Sequence, residues 1–313
     1  MRQFNVSKNQ EKIKKMIVSV IGLGLIGGSI ALDLKQRGFA DKVIGVDNNP
    51  MHAHQAKKIG LADEIQDLRT AVESSHVVIL AIPVSACLRA LPEIMDMVDQ
   101  QVVTDLGSTK EQLIECIANH PKRKQYVPAH PMAGTEFSGP KAAHSGLFDG
   151  KCSIICNPED SDKDAVNMIS DMFHTLQMRC VYMDAEVHDR QTAYVSHLSH
   201  ISAFALSLTV LHKEKKDKHI FELASGGFDS TVRLAKSSAE MWTPIFHQNK
   251  KNIGKVLQKY IDTLQQFKDR IENNDLGGVD DLINEANDIS RVLDEKERNE
   301  AETIKNAKKI RRA

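Results

Sequence analysis

The stretch from Met16 to Asp47 limits what this chain can fold into more than any other. Met16-Ile-Val-Ser-Val-Ile21 is apolar and β-branched, about the length of one buried strand, and runs directly into Gly22-Leu-Gly24-Leu-Ile-Gly27-Gly28-Ser29. This order predicts a strand, a tight turn and a helix. Gly22 permits the turn, Gly24 leaves backbone N–H groups bare for a pyrophosphate, and Gly27 lets the helix lie close against the strand. Phosphate charge would then rest on the unpaired N–H groups at the helix start. An amphipathic run from Ser29 to Arg37 stops at Gly38, and a second apolar strand, Lys42 to Val46, ends on Asp47. A carboxylate there can accept hydrogen bonds from both ribose hydroxyls and repels a 2′-phosphate, which points to NAD rather than NADP. Glycines at this spacing say little alone; the strand before, helix after and acid-tipped second strand make them a dinucleotide fingerprint.

The chain continues in the same alternation. Residues 61–66 read as a brief edge strand, 76–83 as a buried strand ended by Pro83, and 101–105 as a further strand ending on Asp105. The loop after Pro83 should emerge at the carboxyl edge of the sheet, where nucleotides bind in such folds. The cofactor is therefore expected against Gly22, Gly24, Leu25, Ile26, Gly27, Asp47, Ile82, Pro83 and Asp105. Ser108, with Glu111 three residues later, reads as a capping box for a helix over 109–118. A strand over 124–129 delivers His130-Pro-Met-Ala-Gly134-Thr-Glu136 to the same edge; proline forces extended geometry on His130, which suits proton transfer. A strand at 152–156, a helix over 163–176 and a strand at 178–183 complete an eight-stranded count. The fold class is thus α/β: a Rossmann-type, doubly wound, mostly parallel sheet, followed by an all-α region.

From Asp184 onward the pattern is helical. The segment 186–212 lacks glycine and proline and carries His197 and His200 three apart, on one face. No HExxH pattern accompanies them, so a substrate pocket is expected there and no metal. Residues 224–231 read as a turn-rich break before Arg233, whose guanidinium could clamp a carboxylate. Trp242 is the single tryptophan. Helices are expected over 245–273 and 279–293, separated by Gly277-Gly278. The domain reading is a flexible arm (1–15), a dinucleotide-binding domain (16–183), a helical substrate-binding and dimerisation domain (184–293) and a charged tail (294–313).

Composition narrows the class of partner. The 313 residues carry a formal net charge of −1, so no global field favours nucleic acid or an anionic membrane. Five cysteines without a CxxC pair read as reduced thiols in a cytoplasmic protein. The polar, basic start is unlike a secretory signal, and no uninterrupted apolar run of membrane-spanning length is expected.

Taken in order, GLGLIGGS (22–29), TDLGSTK (104–110), HPMAGTE (130–136), SHLSH (196–200), GGFDSTVRLA (226–235) and MW (241–242) resemble the prephenate dehydrogenase family of tyrosine biosynthesis, with arogenate dehydrogenase as sister activity. The resemblance implies NAD-dependent oxidative decarboxylation of prephenate to 4-hydroxyphenylpyruvate by a homodimer. It assigns His130 as the base and Ser108 as the residue that positions it. Substrate contacts fall to His200 and Arg233, with His197 a more structural neighbour. By the same resemblance Glu136 belongs to a gating ionic network, Trp242 reaches the adjacent subunit's site, and tyrosine is an inhibitor. Asp229 and Ser230 stand where many relatives carry arginine and aspartate, and Ser199 where proline is common. Two readings compete with the first: arogenate as substrate, forming tyrosine, or a dinucleotide-binding sensor without chemistry.

Overall fold

The computed structural model describes residues 15–310, with side chains to residue 295. The arm expected over residues 1–15 lies, apart from Lys15, outside the described residues. Two compact units are present, one reaching Ile253 and the other beginning at Gly254.

The first unit opens with β1 (Ile17–Ile21), α1 (Leu25–Gln36), β2 (Lys42–Val46), α2 (Pro50–Lys58), β3 (Glu64–Ile65), α3 (Leu68–Glu73), β4 (Val77–Leu80), α4 (Val84–Met97), β5 (Val102–Asp105) and α5 (Glu111–Glu115). Then come β6 (Tyr126–Pro131), β7 (Cys152–Cys156), α6 (Lys163–Thr175) and β8 (Arg179–Met183). They form one eight-stranded sheet in the order β3-β2-β1-β4-β5-β6-β7-β8, parallel throughout except where β6 meets β7. The expected α/β class and strand count are what the chain adopts. Alternation along each strand feeds two cores. Val18, Val20, Val77 and Ile79 pack with Ile30 and Leu34 of α1 and with Phe173 of α6 on one face. Ile21, Val78 and Leu80 pack with Leu91 and Ile94 of α4 on the other.

Strand order reverses between β1 and β4, and such a switch point leaves a crevice at the carboxyl ends of the two strands. The turns after Ile21 and Leu80 flank it.

Helices follow: α7 (Ala185–Thr192), a π-helical turn (Ala193–His197), α8 (Leu198–Glu214), α9 (Gly226–Val232), α10 (Ala239–Gln248) and α11 (Lys250–Glu272). The continuous helix expected over 186–212 is therefore interrupted by one wide turn, a feature that periodicity does not announce. The turn-rich break at 224–231 is helical from Gly226, and Arg233 lies at the end of α9, where a 3-10 turn over Arg233–Lys236 begins. The run Ala185–Glu214 is, by length and composition, apolar enough to cross a membrane, although it contains no uninterrupted apolar stretch of that length. Its serines, threonines and histidines hide that property from a search for unbroken apolar stretches.

The second unit holds most of α11 and α12 (Leu276–Ile310). Gly277 and Gly278 sit inside α12 rather than between helices. The break falls at Asn274, in the left-handed region with φ 56°, which asparagine tolerates better than most residues.

Candidate active site

The turn from β1 to α1 is built by its glycines. Gly22 has φ 94°, and a Cβ there would lie 2.5 Å from the Ala81 carbonyl oxygen and 2.7 Å from Ile82 Cγ2. A Cβ on Gly27 would come within 1.9 Å of the Gly22 carbonyl oxygen, so only glycine lets α1 approach this closely. Gly24, by contrast, faces open space, and no side chain caps the start of α1. Bare N–H groups at a helix N-terminus beneath open space form a cradle that fits a pyrophosphate. Asp47, at the end of β2, accepts hydrogen bonds from the backbone N–H groups of Leu23 (2.9 Å) and Asn49 (2.9 Å), so the carboxylate is tied to the glycine turn.

The loop from β5 to α5 is clamped at both ends by carboxylates. Asp105 is fully buried; its Oδ1 accepts from the Tyr126 hydroxyl (2.6 Å), and its Oδ2 accepts from Gly107 N (2.8 Å) and from the buried Lys110 ammonium. The cofactor contact expected of Asp105 therefore does not involve its side chain, which is turned inward to hold the loop. At the other end Asp189, from α7, accepts from the backbone N–H groups of Lys110 (2.9 Å) and Glu111 (3.0 Å). The capping box expected of Ser108 and Glu111 does not form. Helix α5 starts at Glu111, and the carboxylate that receives its first N–H groups comes from 78 residues downstream.

That same carboxylate orders a chain of imidazoles. His188 Nδ1 lies 2.7 Å from Asp189 Oδ1, and His188 Nε2 lies 2.9 Å from His130 Nδ1. A carboxylate offers only acceptors, so the neutral His188 ring carries its proton on Nδ1 and presents a lone pair at Nε2. His130 must then donate from Nδ1, which leaves its Nε2 as a free lone pair. Burial, reinforced by His188 and Lys110, holds His130 well below the ordinary imidazole pKa. The ring is thus a neutral base with a fixed orientation, and a proton arriving at Nε2 is stabilised through His188 by Asp189.

The helical segment supplies a second cluster. His200 stacks on Trp242, with ring centroids 3.6 Å apart, and His197 meets the same indole edge-on at 5.9 Å. The expectation that both histidines share a face is met at that ring. Trp242, which the family resemblance gives to the adjacent subunit's site, here packs on its own chain. His200 Nδ1 donates to the Ser196 carbonyl (3.0 Å); burial and then Arg233 lower its pKa. Arg233 and Glu136 form an ion pair at 3.6 Å, which brings two expected site residues together across the first unit. Thr109 Oγ1 donates to Gln248 Oε1 at 2.5 Å, so the clamped loop also touches α10.

His188, Asp189 and Lys110 were not among the expected site residues. The available signal was the His188-Asp189 dipeptide in the first helix after the last strand. Among the described residues no cluster of metal-ligating side chains is present.

A doubly wound sheet with a glycine cradle at its switch point and an oriented histidine base at the same edge defines a dinucleotide-dependent oxidoreductase. Residues 30–182 match the family described as "Prephenate dehydrogenase, nucleotide-binding domain", and residues 184–285 match "Prephenate dehydrogenase, dimerization domain". Over 265 residues the chain is 33% identical to prephenate dehydrogenase of Bacillus subtilis, covering 83% of this chain and 71% of that protein. The crystal structure of prephenate dehydrogenase from A. aeolicus with hydroxyphenyl propionate and NAD+ superposes with a TM-score of 0.80, at 31% identity over 90% of this chain and 99% of that one. Synechocystis arogenate dehydrogenase gives a TM-score of 0.71 at 26% identity, covering 89% of this chain and 100% of that one. The chain belongs to the prephenate dehydrogenase family.

Proposed function

We propose that this protein carries out NAD-dependent oxidative decarboxylation of prephenate to 4-hydroxyphenylpyruvate, a step of tyrosine biosynthesis, as a cytoplasmic homodimer. The domain reading follows: residues 16–183 bind NAD, and residues 184–293 bind substrate and dimerise, with 1–15 and 294–313 as appendages. The cradle at Gly22, Gly24 and Gly27, flanked by Leu25, Ile26, Ile82 and Pro83, would hold the dinucleotide, with Asp47 on a ribose. Bound there, NAD supplies the hydride acceptor.

His130 Nε2 takes the proton of the substrate's ring hydroxyl as hydride leaves the carbon that bears it. His188 and Asp189 keep that imidazole aimed and share the charge it gains. Ser108, on a loop clamped by Asp105 and Asp189, positions the base and the nicotinamide. Arg233 neutralises a substrate carboxylate, Glu136 sets the guanidinium's place, and His200 and Trp242 contact the substrate, with His197 behind them. Loss of carbon dioxide makes the ring aromatic, so alignment, one base and charge neutralisation are what the protein must provide. Tyrosine, which resembles the substrate in its ring and carboxylate, is an inhibitor of the same pocket.

The observation that supports this reading most strongly is the Asp189–His188–His130 series, whose hydrogen bonds leave a lone pair at His130 Nε2. The test is steady-state turnover with prephenate and with arogenate, each with NAD and NADP. Formation of reduced nicotinamide with prephenate and NAD is expected; turnover confined to arogenate, or to NADP, overturns the assignment.

A further inference from the structure

One buried side chain ties three segments of the site together and has no part in the mechanism above. Asn249, between α10 and α11, is 3% exposed. Its Nδ2 lies 2.6 Å from the Asp189 carbonyl oxygen and 3.2 Å from His197 Nδ1, and its Oδ1 accepts from Asn252 Nδ2 at 2.8 Å. A backbone carbonyl can only accept, so the atom facing it is the amide nitrogen and the oxygen faces Asn252. That nitrogen has two hydrogens. One goes to Asp189, and the other is directed at His197 Nδ1, which must therefore be a lone pair. The proton of His197 is confined to Nε2.

The geometry of these contacts reaches the chemistry by a short path. The Asp189 carbonyl held by Asn249 belongs to the residue whose carboxylate orients His188 and receives the first N–H groups of α5. His197 in turn closes the π-helical turn and stands against Trp242. A shift of Asn249 would move the carboxylate end of the imidazole series and free the His197 proton to change nitrogen.

We propose that Asn249 is a positioning residue for the reaction: it holds Asp189 in register with His188 and His130, and it fixes the tautomer of His197. The proposal rests on the reading of His130 as the base. Burial also holds His197 down to about 4, in keeping with a neutral ring that has no acceptor for a second proton.

The test uses two variants of the full chain. Asn249→Asp is nearly isosteric but sets a carboxylate against the Asp189 carbonyl and gives His197 Nδ1 an acceptor. Asn249→Ser keeps a residue favoured at a helix start but is too short to reach both partners. Protein labelled with 15N in its imidazoles reports the tautomer, with the His197 signals assigned by their loss in His197→Gln. The unaltered protein is expected to show neutral, Nε2-protonated His197 at pH 7, and Asn249→Asp to move the proton to Nδ1. With prephenate, kcat should fall roughly tenfold or more in both variants, as loss of one buried hydrogen bond implies, while KM for NAD stays the same. Rates equal to the unaltered protein in both variants, or an unmoved His197 tautomer in Asn249→Asp, overturn the proposal. Absence of prephenate turnover in the unaltered protein would strike the proposed function instead, and the tautomer measurement would still decide Asn249.

Discussion

The sheet half of the first unit and its helical segment after Asp184 bury apolar and polar residues in very different proportions. In the sheet half β4 and β5 are buried along their whole length, and the interior is mostly apolar, with Asp33, the Asp105–Lys110 pair, Arg123, His130 and several hydroxyls as its buried polar groups. Between Asp184 and Ile253 the interior is nearly as polar as apolar: His188, Asp189, Thr192, His197 and Asn249 are buried beside Ala185, Ala193, Ala203, Trp242, Ile245 and Ile253. Tyr194, Val195, Leu208, Leu211 and Leu223 meanwhile face outward. One region builds a self-sufficient core; the other spends its interior on hydrogen-bonded chemistry and leaves its apolar surface for something else to cover. A second copy of the chain is the partner that the proposed homodimer supplies.

Injury to the imidazole relay that the helical segment supports through His188 and Asp189 should therefore differ in kind from injury to the packing of the sheet half. The largest effect is expected from His130→Asn, which removes the base but little volume. Turnover should fall by roughly 10²–10⁴-fold while NAD binding, read by calorimetry, is unchanged. Turnover near that of the unaltered protein would place the base elsewhere and dissolve the contrast. Gly27→Ala should do the reverse. Its Cβ would stand 1.9 Å from the Gly22 carbonyl oxygen, forcing α1 away from β1. Overpacking of this kind costs about 1–3 kcal/mol, so the melting temperature and the NAD affinity should fall together, even with His130 intact. NAD bound with unaltered affinity would show that the cradle lies elsewhere.

The same contrast explains what could be read from the sequence. Met16 to Asp47 was legible because strand, glycine turn, helix and acid follow one another without a gap, and Gly22 and Gly27 answer to local steric demands. His130, His197, His200 and Arg233 stood out as chemical groups, whereas Glu136 and Trp242 entered the site only through the family resemblance. The His130 relay was not legible, because His130 meets His188 across 58 residues and the capping of α5 comes from a distant acid rather than from Ser108. Local capping rules name the nearest oxygen, and here packing delivered Asp189 instead. The π-helical turn escaped for a related reason: it adds one residue to a turn without changing composition. Asp105 reads as a strand-end acid facing a ligand, yet the buried Lys110 and Tyr126 draw it inward.

The last effect concerns acid stability rather than turnover, and it belongs to the helical segment. Burial lowers the pKa of His197 from 6.5 to about 4, so the folded protein keeps the ring neutral where the unfolded chain would protonate it. The unfolded state binds more protons between those values, and stability therefore declines as pH falls from 6.5 towards 4. The share due to this one ring is on the order of 3 kcal/mol, at about 1.4 kcal/mol per pKa unit. His130 and His200, whose values are also lowered, add to the same slope. Denaturant unfolding at several pH values should show the loss in the unaltered protein and a visibly flatter profile in His197→Gln, which cannot titrate. Parallel profiles would mean that His197 is as accessible to protons in the folded state as in the unfolded one, and that the polar interior of this segment is less sheltered than its burial implies.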